Sequence, residues 1–196
     1  DDDPPPSEVQ AALAAATDAD RAALPLPAHL VLASAWGARV LVVTKDDWDT
    51  WRAGVMKIEN ATYEDGRRET EEELYDMLAV EGGLGLIAVR RTDGGHQVTG
   101  YAFGGPASHF KADGPREDAL ASETFYSSNI TVHPAARGSG LGMRLKRAQV
   151  AAVRKRGFAF MSGRNRVGHT LDMGRVNRAF GSYVAERFRG NQYGDL

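Results

Sequence analysis

Between residues 133 and 143 the chain reads His133-Pro134-Ala135-Ala136-Arg137-Gly138-Ser139-Gly140-Leu141-Gly142-Met143. The stretch before it, Glu123 to Val132, has the composition of a strand, and Leu141 to Arg156 after it carries apolar residues at helical spacing. A strand, a glycine-rich turn and a helix N-terminus together present several main-chain N–H groups to one anion. The first N–H groups of a helix have no internal partner, and the helix dipole adds partial positive charge there. Glycines at 138, 140 and 142 allow φ > 0 and leave no Cβ between the backbone and a bulky phosphate. The expected chemistry is phosphate binding by the N–H groups of Gly138, Ser139, Gly140, Leu141, Gly142 and Met143. A Walker-type loop needs Lys and then Ser or Thr after its last glycine, and Met143-Arg144 stand there instead. A dinucleotide fingerprint needs Gly-x-Gly-x-x-Gly, and these glycines are spaced by two throughout.

The elements that must position this turn can be read along the chain. Asp1-Asp-Asp-Pro-Pro-Pro6 is expected to be a solvated tail, followed by a marginal Ala-rich helix over 7–23, so that 1–27 forms a tail or linker and 28–196 the domain. His29–Ala35 and Ala38–Thr44 read as two short strands. Asp46 or Asp47 can cap a helix in which Trp48, Trp51, Val55 and Ile58 line one face. Thr70 and Glu73 have capping-box spacing ahead of a second helix, roughly Thr70–Val80. Leu84–Arg91 and Gln97–Phe103 read as strands joined by a hairpin at Thr92-Asp93-Gly94-Gly95. A polar loop, 106–122, leads to the strand before the glycine turn. After the C-cap candidate Gly157 come a strand at Phe158–Met161, a short helix at Asp172–Ala179 and a last strand at Tyr183–Phe188. The order describes an α/β (α+β) domain with a mixed, mostly antiparallel sheet, parallel only around the helix that follows the glycines, and helices on both faces.

Composition narrows the chemistry. The 196 residues amount to one domain, with 42% hydrophobic residues and no apolar run near the roughly eighteen that a membrane span needs. A formal net charge of −2 gives no general attraction to nucleic acid or anionic lipid, and neither partner is expected. With no cysteine there are no disulfides, thiolate metal sites or cysteine nucleophiles, so any acyl transfer is direct. No His, Asp or Glu grouping has metal-ligand spacing, and no metal is expected. The chain opens on Asp1 rather than Met, which reads as a processed or excised piece; a cytoplasmic location is the default expectation.

The run Arg137-x-x-Gly140-x-Gly142, preceded by Ile130-Thr131-Val132 and Pro134, resembles the acetyl-coenzyme A signature of the GCN5-related N-acetyltransferase superfamily. The resemblance extends over roughly residues 38–190 and is specific at 125–157. It implies the splayed sheet of that fold and transfer of an acetyl group from acetyl-CoA, used as co-substrate, to a primary amine of a small molecule or peptide. It further implies that Ile130, Thr131 and Val132 run beside the pantetheine arm, with one N–H polarising the thioester carbonyl. The diphosphate then lies on the N–H groups of Gly138 to Met143, beside Arg137.

The resemblance leaves proton transfer open. Where many members place a tyrosine, four residues before a glycine in the late helix, this chain has Asn177 before Gly181, and an amide can bind the cofactor but cannot donate a proton at useful pKa. Tyr183 is a fallback acid. For the base, His169, Tyr126 and Glu123 are the candidates, while Glu59 and Glu64 flank a turn expected to wall the acceptor site. The family's usual final strand is missing after 188, so the N-terminal strands or a second copy joined as a homodimer would complete that edge. An alternative reading is a non-catalytic acetyl-CoA-binding sensor within a larger protein.

Overall fold

The structure, a computed structural model, describes residues 37–110, 122–165 and 173–182. Within these, strand β1 (Ala38–Val43) is followed by helices α1 (Trp48–Thr62) and α2 (Glu71–Ala79). Strands β2 (Leu84–Thr92), β3 (Gly95–Pro106) and β4 (Thr124–Val132) come next, then helix α3 (Leu141–Lys155), strand β5 (Phe160–Ser162) and helix α4 (Met173–Arg178). The sheet runs in the order β1-β2-β3-β4-β5, antiparallel until β4 meets β5 in parallel. The mixed α/β expectation is met. The first N-terminal strand, the tail and the last strand fall outside the described residues.

The sheet divides two apolar layers. Trp48, Trp51, Val55 and Ile58 of α1 join Leu74, Met77 and Leu78 of α2 against Leu41, Ile87, Val89, Tyr101 and Phe103. On the other face Leu141, Leu145, Ala148 and Ala152 of α3 pack on Val40, Leu86, Ala102 and Phe125. The capping box forms as the sequence predicts: Glu73 N–H donates to Thr70 Oγ1 (3.1 Å) and Thr70 N–H to Glu73 Oε2 (2.7 Å). Asp47 behaves differently from expectation. Its carboxylate accepts from Thr44 N–H (3.0 Å) and Thr44 Oγ1 (2.8 Å), capping a short 3-10 turn that leads into α1 rather than α1 itself.

Two strands differ from their expected bounds. β5 begins at Phe160 because Phe158 turns inward onto the Phe125 ring (5.5 Å), while Ala159 and Phe160 N–H groups both donate to Glu123 C=O. β3 continues through Gly104 and Gly105, which pair with Ser127 and Tyr126. There β4 passes so near that a Cβ on Gly104 would lie 2.2 Å from Tyr126 O. Gly104→Ala is therefore expected to cost about 2 kcal/mol of stability by forcing these strands apart, read as a lowered denaturant midpoint.

Register across β3 and β4 slips at Phe103/Gly104, where Asn129 faces Phe103 but Ser127 faces Gly104, leaving Ser128 as a bulge. The extra residue reverses the alternation of side chains. Phe125 before it and Ile130 and Val132 after it all pack on the α3 face, whereas Tyr126 meets Phe110 (4.9 Å) and Thr131 meets Tyr63 on the α1–α2 side.

Candidate functional site

The bulge lies where β4 and β5 part. The two strands pair only at Thr124–Phe160, Phe125–Met161 and Tyr126–Ser162. Beyond Tyr126, β4 keeps β3 on one side and, among the described residues, has no strand on the other. His133 N–H donates to Thr99 C=O (2.9 Å), and alternation in an antiparallel ladder then turns the peptide groups of Thr131 toward β3 and those of Ile130 and Val132 toward the gap. Arg137 Nε donates to the Val132 carbonyl (3.4 Å) across that gap.

After Val132 the chain turns through a 3-10 segment, Pro134–Ala136, whose first N–H is capped by His133 Nδ1 (Ala135 N–H, 3.2 Å). Gly138 (φ 79°) and Gly140 (φ 78°) then take left-handed backbone, and Gly140 is the N-cap of α3. Gly142 departs from the sequence expectation: it sits in the first turn of α3 with ordinary helical backbone, so its value lies in the absent Cβ and not in a positive φ. Ser139 Oγ donates to Ala136 C=O (2.6 Å), fixing the loop from within.

The N–H groups of Gly138, Ser139, Gly140, Leu141, Gly142 and Met143 have no hydrogen-bond partner among the described residues; the first helical bond is Arg144 N–H to Gly140 C=O (3.2 Å). Among the described residues, leaving out the immediate chain neighbours, no atom lies within 4 Å of a Cβ built on Gly138 or Gly140. The loop is thus open and its donors are unspent, as an anion site on a helix N-terminus requires.

Several buried polar side-chain atoms near the sheet lack a partner among the described residues. Ser127 Oγ donates to Gln149 Oε1 (2.7 Å), which leaves the fully buried Gln149 Nε2 without an acceptor. Ser162 Oγ at the end of β5, Asn129 Nδ2 on β4 and Asn177 Oδ1 on α4 are likewise buried and unpartnered. Asn177 Nδ2 reaches Asn165 Oδ1 (3.3 Å), just past β5. These four atoms belong to β4, α3, β5 and α4.

The candidate bases fare unequally. His169, like the fallback acid Tyr183, lies outside the described residues. Glu123 is exposed at the opening of β4, nine residues or roughly 30 Å of strand from Val132. Tyr126 is buried against Phe110, on the last residue pair before the strands part. Glu64 is exposed and ion-paired with Arg67 (3.9 Å), and Asp65 with Arg68 (2.8 Å), so the expected acidic wall is internally neutralised. No group of three or more potential metal ligands occurs among the described residues.

Glu59 emerges as something other than a wall residue. It is 1% exposed, its Oε1 accepts from Glu69 N–H (2.8 Å), and its Oε2 accepts from the hydroxyl of the fully buried Tyr101. Thr131 stands opposite Tyr101 in the β3–β4 register, and its Oγ1 lies 2.9 Å from the half-buried Tyr63 OH. Burial holds the Glu59 carboxyl above the usual carboxylate range, although the Tyr101 bond, the Glu69 N–H and Arg68 pull the other way. Burial, with Glu59 beside it, pushes the Tyr101 phenol well above its ordinary value. The sequence did carry a signal for Glu59: it stands four residues after Val55 and eight after Trp51, on the buried stripe of α1.

No protein-family model matches the chain, and no curated protein matches it. Solved structures do. An aminoglycoside acetyltransferase from an uncultured soil metagenomic sample, in complex with sisomicin, aligns with a TM-score of 0.52 at 12% identity, covering 78% of this chain and 91% of that one. A second aminoglycoside acetyltransferase from such a sample aligns with a TM-score of 0.53 at 14% identity over 79% and 96%. AAC(6')-Iy in complex with a bisubstrate analogue, CoA-S-monomethyl-acetylneamine, aligns with a TM-score of 0.52 at 21% identity over 77% and 94%. At these identities the likeness is one of fold.

Proposed function

We propose that this chain, which has the fold of the GCN5-related N-acetyltransferases, transfers an acetyl group directly from acetyl-CoA to a primary amine of a small molecule. The observation that carries the reading is the run of unspent N–H groups from Gly138 to Met143, open to solvent at the head of α3. These groups hold the diphosphate, with the exposed Arg137 nearby. The gap-facing N–H groups of Ile130 and Val132 pair with the amides of the arm as an added strand would. Gln149, Ser162, Asn129 and Asn177 supply the remaining polar contacts, and Asn177 holds the donor rather than protonating it. The bisubstrate complex of AAC(6')-Iy, in which CoA is joined to an acetylated neamine, supports both halves of the pair on this fold. The sisomicin complex supports a cationic polyamine as the class of acceptor.

Thermal-shift titration with acetyl-CoA, followed by thiol release against an amine panel that includes sisomicin and neamine, tests the reading. Saturation at about a hundred times Kd is expected to stabilise the fold by about 2.7 kcal/mol, a rise of a few degrees in Tm. No shift rejects the assignment. A shift without turnover on any amine favours the sensor reading, to which the asparagine at 177 lends its weight.

A further inference from the structure

Acetyl-CoA binding as proposed above accounts for the main-chain N–H groups of the glycine loop and leaves one buried charge beside them without a role. Resting on that reading, we infer that Lys146 is the buried counter-charge of the donor's diphosphate, held without an anion in the free protein and compensated only when the donor binds.

Two contacts place Lys146. On α3, Gly142 lies four residues before it and Gln149 three after it, so the three share one face of the helix. A Cβ built on Gly142 lies 3.7 Å from Val132 Cγ2, and Gln149 Oε1 accepts from Ser127 Oγ at 2.7 Å. Lys146 therefore stands over β4 between Ser127 and Val132, the stretch that no longer pairs with β5 after Tyr126. It follows Met143 by three residues, about 4.5 Å along the helix axis. Side chains on a helix lean toward its N-terminus, so the lysine stem leads back to the loop whose N–H groups are unspent.

Nothing answers the charge in the free protein. Lys146 is buried and forms no hydrogen bond or ion pair among the described residues. No Asp or Glu occurs in α3, or in β2, β3, β4 and α4, which pack against it. The sheet face under α3 brings apolar side chains and the Ser127 hydroxyl, none of them titratable. The charged neighbours are Arg144 and Arg147 on α3 itself and Arg175 and Arg178 on α4, all of them cations. Buried charges are paired in folded chains, so the partner of this one is an anion from outside. Burial alone lowers the Lys146 pKa to about 8. A diphosphate beside the amine favours the ammonium and raises that value again, so binding takes up a proton wherever the free amine is neutral. The affinity that Lys146 contributes is then complete below pH 8 and is lost as pH rises above it. Main-chain N–H groups acting alone give no such dependence.

Calorimetric titration with acetyl-CoA compares wild type and Lys146→Met at pH 7 and 9, each in buffers of different ionisation enthalpy. Wild type is expected to take up about one proton per acetyl-CoA at pH 9 and about none at pH 7, and to bind about tenfold more weakly at pH 9.5 than at pH 8. Lys146→Met is expected to bind about tenfold more weakly than wild type at pH 7, to take up no proton at pH 9, and to approach wild-type affinity as pH rises. Inorganic pyrophosphate, the diphosphate alone, is expected to displace acetyl-CoA from wild type at pH 7, and about tenfold more of it is needed with Lys146→Met. Wild-type affinity in Lys146→Met, persistence of its proton uptake, or equal competition by pyrophosphate in the two proteins overturns the assignment while leaving the acetyl-CoA reading standing. Absence of acetyl-CoA binding in wild type overturns both.

Discussion

Gly140→Val is expected to weaken acetyl-CoA binding by about a hundredfold, about 2.7 kcal/mol, while leaving the protein folded. The substitution acts in two ways that can be separated. Gly140 has φ 78°, a left-handed conformation that costs an L-residue about 1–2 kcal/mol, and more when the side chain is β-branched. The second effect is occlusion. A Cβ there meets no protein atom within 4 Å, so the valine would stand in the open space bordering the unspent N–H groups, where the diphosphate is to lie. Gly157 provides the control. It closes the opposite end of α3 at φ 86°, also with nothing described within 4 Å of a built Cβ, but it stands at the carbonyl end of the helix, with its own N–H donating to Arg154 C=O (3.0 Å). Gly157→Val should therefore lose comparable stability in denaturant and keep full affinity in calorimetry. Equal affinities in the two variants would show that the loop at 138–143 is not where the anion sits.

What the sequence made legible was what local chemistry decides. The Thr70/Glu73 capping box, the Asp93-Gly94 hairpin and the glycine turn ahead of α3 are each encoded within a few residues, and each forms as read. The strand extension through Gly104 and Gly105 was hidden because glycine carries no strand preference; what holds it is the close passage of Tyr126, 22 residues on. The bulge at Ser128 leaves no local mark either, yet it decides which side chains of β4 face α3 and which face the α1–α2 layer. The two buried hydroxyl pairs were harder still. Glu59 and Tyr101 are 42 residues apart, and Tyr63 and Thr131 are 68 apart, so only the assembled sheet brings them together.

Lys146→Met is expected to stabilise the ligand-free protein at pH 7 by about 3 kcal/mol, with a gap that closes as pH rises. Lys146 lies on α3, only 6% exposed, and forms no hydrogen bond or ion pair among the described residues. Burial alone lowers its pKa from 10.5 to about 8. Below pH 8 both folded and unfolded chains carry the proton, and the folded state bears the full cost of burying the charge. Between pH 8 and 10.5 the unfolded chain binds more protons than the folded one, so stability climbs with pH; above 10.5 the cost is gone. At about 1.4 kcal/mol for each tenfold in proton affinity the drop amounts to about 3 kcal/mol. Methionine has similar length and no charge, so it removes the cost and keeps the packing. Denaturant melts of both proteins at several pH values between 7 and 10.5 measure the difference directly. Taking the difference between the two proteins at each pH cancels every contribution except that of residue 146. A gap that narrows through pH 8 to 10.5 identifies the buried amine as its source, and a gap independent of pH would mean that the Lys146 ammonium is solvated in the folded state.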